Sequence, residues 1–202
     1  MPHSRPYRMA LLAFTVLVGA AMGTQAIAGQ ELKIDPQHSS VGFSVRHLFS
    51  RVHGSFREFS GTLEYDENDI GKSKVKVTIQ ASSVDTNVEN RDDDLRSDRF
   101  FDAETFPTLE FFSKKIKKLD GNKFQIFGKL TMHGITRTVV LEGEFLGSGK
   151  DPWGNQRFGF HASTTINRKD FEMVWNETLE TGGLLVGDEI EITLDIEAIP
   201  AK

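Results

Sequence analysis

Residues 91–99 place seven charges in nine positions: Arg91, Asp92, Asp93, Asp94, Arg96, Asp98 and Arg99. The chain then turns aromatic at Phe100, Phe101, Phe106, Phe111 and Phe112. A guanidinium beside such rings could grip an oxygen-bearing head group with paired donors while the rings cover something apolar, and Arg91 is the first choice for that contact. The plainer reading is a solvated helix with internal ion pairs, started by a cap at Ser83 or Thr86, with Asp92, Asp93 and Asp94 near the positive end of its dipole. His38, His47, His53, His133 and His161 could hold a metal only if the fold gathered them. His47 and His53 do not match a compact zinc pair, and no metal site is assigned. His47 with Asp92 is a candidate acid–base pair for an enzyme acting on a lipid or an acid-labile ester in a dry cavity. The chain has no cysteine, no G-x-S-x-G, no H-E-x-x-H and no phosphate-binding glycine loop. No catalytic residue is assigned and no cofactor is called for. Asn167-Arg168-Lys169-Asp170 reads as a turn held by an Arg–Asp pair, or as cations presented to a ligand. Asn176-Glu-Thr178 matches a glycosylation acceptor, a pattern short enough to arise by chance.

The elements that must position these groups are strands. Apolar and polar residues alternate with a period of two along nearly the whole chain after residue 30. Val41, Phe43, Val45 and His47 share a face, as do Phe59, Gly61, Leu63 and Tyr65, and Val75, Val77, Ile79 and Ala81. Leu109, Phe111 and Ser113 begin another strand; Phe124 to Met132, Val139 to Phe145, Phe158 to Ile166 and Ile190 to Ile196 complete the set. Leu32 and Ile34 extend it at the start. The spacing predicts an all-β, antiparallel eight-stranded barrel, or a sandwich, with residues 91–106 as a short helical lid where the sheet opens. Inward glycines at 61, 128 and 143 are expected to leave space, and sixteen Phe against two Tyr and two Trp mark an interior with few polar handles. A barrel of this size is filled by its own side chains or holds one ligand; the pattern leaves both open, and a filled barrel would be a structural or stress-response module.

Residues 1–28 read as a signal peptide: Arg5 and Arg8, an uncharged apolar run from Met9 to Met22, and Ala26-Ile27-Ala28 as the cleavage pattern. The run is short for a membrane span, so no stable membrane anchor is expected. Its removal takes away two arginines and no acid, moving the formal net charge from −5 to −7. Such a chain is a poor polyanion binder overall, and nucleic acid is not expected as a partner. Residues 29–202 carry no second apolar span, linker or repeat, and are read as one domain.

His38-Ser-Ser-Val-Gly-Phe-Ser-Val-Arg-His47, Arg91-Asp92 with Leu95, Phe100-Phe-Asp102 with Phe106-Pro107, Gly128-Lys-Leu-Thr-Met-His-Gly-Ile-Thr136, Gly154-Asn-Gln-Arg-Phe-Gly-Phe160, Ile166-Asn-Arg168 with Asp170-Phe171, and Val186-Gly-Asp188 occur in an order that resembles the YceI-like family of exported polyisoprenoid-binding proteins. The likeness runs from about residue 31 to 198. Asp94, Thr138 and Glu172 stand where family members often carry His, Pro and Gly. The resemblance implies a lipocalin-like barrel, hollow rather than filled, holding a long polyisoprenoid lipid of the polyprenyl phosphate or isoprenoid quinone type. It implies a periplasmic carrier rather than an enzyme; the sequence leaves a homodimer open. The ligand-binding set expected on that basis is Val41, Phe43, Val45 and His47 on the first long strand; Arg91, Phe100, Phe101 and Phe106 in the lid; and Phe111, Leu130, Phe145, Phe158, Phe160 and Ile166 on later strands.

Overall fold

The computed structural model describes residues 29–180 and 182–201; residues 1–28, expected from the sequence to be a signal peptide, lie outside them. Eleven strands follow one another along the chain: β1 (Gln30–Ile34), β2 (Ser40–His47), β3 (Ser50–Phe56), β4 (Phe59–Tyr65), β5 (Lys74–Gln80), β6 (Val84–Asp85), β7 (Thr108–Lys118), β8 (Lys123–Met132), β9 (Ile135–Lys150), β10 (Gln156–Asn167) and β11 (Val186–Pro200), with α1 (Glu89–Arg96) between β6 and β7. All pairings are antiparallel, and β1 closes onto β11.

The eleven segments make an eight-stranded meander because the first three strands are each broken once. β1 and β2 run in the same direction along one edge of β11, β1 against residues 198–200 and β2 against 186–195. β3 and β4 repeat the break against them, and β5 and β6 repeat it again. Leu32 and Ile34 therefore do extend the first strand. The breaks lie side by side, stitched by Arg57 N–H to the Ser83 carbonyl and Gln80 N–H to the Glu58 carbonyl, and crease the wall there. From β7 to β11 the strands are long and uninterrupted, and closure leaves few free edges.

Turn chemistry matches the connections. Between Met132 and Ile135 only His133 and Gly134 remain, both at positive φ (52° and 71°), the geometry of a two-residue hairpin turn whose twist suits the flanking strands. A Cβ on Gly134 would also stand 2.5 Å from the Phe106 ring. That turn, the β2–β3 turn, α1 and the β10–β11 connection share one end of the barrel. The other end is packed: Tyr65 meets Phe158 at 5.5 Å, Phe160 at 5.7 Å and Phe145 at 6.0 Å between ring centroids, beside the fully buried Leu32 and Ala198.

Two sequence expectations change here. The inward glycines do not leave space. A Cβ on Gly128 would lie 2.3 Å from the Phe111 ring, one on Gly143 2.1 Å from the Phe124 ring, and one on Gly61 2.6 Å from Ile34. A large side chain from a neighbouring strand lies over each glycine, so these positions are occupied rather than open. The helix, in turn, takes no cap from Ser83 or Thr86. It starts at Val88 with no side-chain cap, and the Thr86 hydroxyl is turned onto Asp92 instead.

Candidate functional site

A cavity of about 230 Å³ runs inside the barrel, far more than the space one water needs. Its origin is visible in β5 and β11. Val75, Val77 and Ile79, and Ile190, Ile192, Leu194 and Ile196, all point inward in the alternation, yet each keeps accessible surface. Core side chains that close-pack lose that surface. Here they line an unfilled lumen.

The expected site residues divide. Val41, Phe43 and Val45 from β2, Phe100 and Phe101 from the segment after α1, and Phe111, Leu130, Phe160 and Ile166 from β7, β8 and β10 all line the cavity. Leu95, the one apolar residue of α1, joins them. Phe43, Phe56 and Phe101 form a chain of rings at 5.8 and 5.5 Å that carries the lining from the wall to the lid segment. Phe145 and Phe158 stand apart from the lining, in the ring cluster around Tyr65 that fills the other end. Phe106 stacks edge-on to His133 at 5.0 Å and braces the β8–β9 turn from beneath the lid. His47, half-buried where β2 meets Val186, is also outside the lining.

Arg91 is committed to a brace. Its Nε donates to Thr86 Oγ1 (2.8 Å) and a terminal nitrogen donates to the Thr86 carbonyl (3.0 Å). Thr86 in turn donates to Asp92 Oδ1 from its hydroxyl (2.5 Å) and its backbone N–H (2.8 Å). This relay fastens the start of α1 to the end of β6. It also uses the buried carboxylate of Asp92, and among the described residues no hydrogen bond joins Asp92 to His47. Arg96 donates to the carbonyls of Ser82 and Val84 and to Asp93. Arg99 pairs with Asp94 and lies 4.8 Å above the Trp175 ring, which itself meets Phe100 at 5.3 Å. The charge run is therefore a set of staples holding the lid segment and the 172–186 connection together.

The sequence underrated Arg168. Its side chain is buried at the edge of the lumen, donating to the carbonyls of Gly187 (2.9 Å), Met173 (2.5 Å) and Trp175 (2.8 Å) and to Asp188 (3.1 Å). Its acid partner is Asp188, not Asp170. Burial pulls its pKa below the usual guanidinium value, with Asp188 acting in the opposite sense. Asn176 bonds both the N–H and the carbonyl of Val186 through its side-chain amide. Together these groups strap the 172–186 connection across the end of the barrel.

The histidines are dispersed. His38 bonds Asp35, His161 bonds Asp195, and His133 bonds the Phe171 carbonyl. Asp35, His38 and Glu197 do come within 4.8 Å of one another, but Arg157 already occupies that cluster. Its guanidinium reaches Asp35 (2.6 Å), Glu197 (2.5 Å) and Asp151 (3.0 Å), and a cation there would meet a cation. Hydrogen bonds from the Asn155 side chain, helped by Arg157, hold Asp151 well below the ordinary carboxylate range. For Asp35, burial acts upward, but the bonds from Arg157 and His38 outweigh it and hold the group low.

Comparison with known proteins agrees with this geometry. A family model described as a YceI-like domain matches residues 32–198. The chain is 40% identical over 195 residues to Protein YceI of Salmonella arizonae, covering 95% of this chain and 98% of that one. Among solved structures, Burkholderia cenocepacia BcnA superposes with a TM-score of 0.73 at 26% identity, over 81% of this chain and 98% of BcnA. A polyisoprenoid binding domain from Saccharophagus degradans has the same fold, with a TM-score of 0.59 at 14% identity over 84% and 98% of the two chains.

Proposed function

The chain belongs to the YceI-like family, and from that premise we propose that it is a periplasmic carrier holding a long polyisoprenoid lipid in the barrel lumen. The observation that carries the reading is the uncovered apolar surface of β5 and β11 inside a closed barrel. A space lined by Val, Ile, Leu and Phe selects hydrocarbon, and each methylene it buries is worth roughly 0.8 kcal/mol. A tail of tens of carbons then binds with little help from its head, even after ordering costs are subtracted. The Saccharophagus degradans domain, described as polyisoprenoid binding, supports an isoprenoid tail in particular. Of a polyprenyl phosphate and an isoprenoid quinone, the uncharged quinone fits best. The buried cation of the lining, Arg168, is already neutralised by Asp188 and saturated by carbonyls, and Arg91 is held by Thr86. We infer binding rather than catalysis, because among the described residues no hydrogen bond joins His47 to Asp92 and the lining offers no nucleophile hydrogen-bonded to a base.

The test is mass spectrometry of an organic extract from protein purified out of its own host's periplasm. A co-purifying lipid with an isoprenoid tail is the expected result; an empty extract or ordinary acyl phospholipid would overturn the reading. N-terminal sequencing of the same material should begin near Gly29.

A further inference from the structure

Along the outside of the barrel, strand register assembles a feature that no single stretch of sequence displays. Lys76 of β5 stands opposite Phe112 of β7, which stands opposite Lys129 of β8. One row further, Lys115 of β7 stands opposite Phe127 of β8, and Phe127 opposite Val140 of β9. Lys114 and Lys117 extend the same wall along β7, where a bulge between Ser113 and Lys115 turns two successive lysines outward. Phe112 is 37% exposed, with the Lys76 ammonium 5.1 Å from its ring centre. Among the described residues, none of Lys76, Lys114, Lys115, Lys117 and Lys129 has a carboxylate within ion-pair distance; on this wall only Lys74 is paired, to Glu64 at 2.7 Å. Glu110 stands on the same face of β7, between Thr78 and Thr131, while Glu64 of β4 and Glu142 of β9 lie on the strands that flank the wall. In a chain of net charge −5, unpaired cations are concentrated on one face, around an exposed ring.

We propose that the outer face of β5, β7 and β8 docks on the surface of an anionic lipid bilayer. Charge complementarity calls for an anionic partner. A second copy meeting this face across a two-fold axis would bring like charge against like. The residue type then separates a bilayer from an acidic protein. The unpaired cations of this face are all lysine, a hydrated point charge on a flexible stem, whereas arginine provides the rigid fork that grips individual carboxylates and is the cation enriched in protein interfaces. Lysines around a ring at the level of the head groups suit a diffuse anionic surface. Docking would hold the barrel beside the membrane from which a lipid cargo is drawn, yet it needs no occupied lumen and is independent of the carrier reading.

Co-sedimentation of the purified protein with vesicles tests this, using phosphatidylcholine alone against phosphatidylcholine with phosphatidylglycerol. Binding should require the anionic lipid and weaken with added salt. At roughly fivefold per lysine near an anionic surface, the triple variant K114Q/K115Q/K117Q should partition on the order of a hundredfold more weakly. F112S should weaken binding while keeping its salt dependence. Should the triple variant melt early, K76Q/K129Q tests the same face from the flanking strands. Equal binding to both vesicle types, or an unchanged partition for the variants, overturns the proposal. Capture by soluble polyglutamate without vesicle binding overturns it in favour of an acidic protein. Lipid-stripped and lipid-loaded protein should bind vesicles alike, so an error about the lumen leaves this result untouched.

Discussion

Ile192→Trp discriminates a hollow barrel from a filled one. Ile192 points inward on β11, flanked by Phe43 of β2 and Thr164 of β10, and still keeps accessible surface. In a close-packed interior the larger ring would cost about 1–3 kcal/mol. For a domain of this size that corresponds to a fall in Tm of roughly 2–12 °C. In an unfilled lumen the indole finds room, and the Tm of the lipid-free protein should hold or rise. The ring would instead compete with the ligand. Displacing three or four methylenes at roughly 0.8 kcal/mol each removes about 3 kcal/mol of binding, on the order of a hundredfold in affinity. Thermal melting of stripped protein, with lipid quantified in extracts of unstripped protein, reads both effects on one variant. Leu32→Ala calibrates the melt, because Leu32 is fully buried and its truncation should cost about 2–5 kcal/mol. A clear drop in Tm for Ile192→Trp with lipid content unchanged would refute the hollow lumen.

Arg91→Ala breaks the relay through Thr86 to Asp92, so apo stability should fall by about 1–2 kcal/mol with lipid release unchanged; faster release at constant Tm would restore Arg91 as a head-group contact. Gly134→Ala places a Cβ at φ 71° against the Phe106 ring, and urea denaturation should show a loss of about 1–3 kcal/mol. Asp35 and Asp151 are held below the ordinary range, so their contribution is fully present above the unfolded value of about 3.9 and is lost as pH falls through the lower folded values. The Tm should therefore drop steeply below about pH 4. Arg157→Gln should lower Tm at neutral pH and flatten that acid limb, and an acid limb unchanged in the variant would show that Arg157 does not set it.

Much of the architecture was legible in one dimension because a strand alternates its side chains with a strict period of two. That period assigned Val41, Phe111, Leu130 and Ile166 to the inner face, counted eight strands, and marked residues 91–106 as the interruption. Motif order pointed to the family by the same local route. Alternation says which way a side chain points; it carries no information on what meets it from the next strand. Hence Gly128 and Gly143 read as vacancies, although Phe111 and Phe124 cover them. Phe158 has the same phase as Phe160, and Phe145 stands directly opposite Phe160 on β9, yet of the three only Phe160 reaches the lumen while the other two pack around Tyr65. Arg91 and Arg168 each read as half of a local ion pair or as a cation offered to a ligand, until the fold brought Thr86 to one and the carbonyls of Gly187, Met173 and Trp175 to the other. The lysine wall is the same lesson on the outer face: Lys76, Phe112 and Lys129 lie far apart in the chain, and cross-strand hydrogen bonding alone sets them in a row. Local periodicity determined the barrel and its two faces, while pairing between distant strands, a property of register, decided what each face contains.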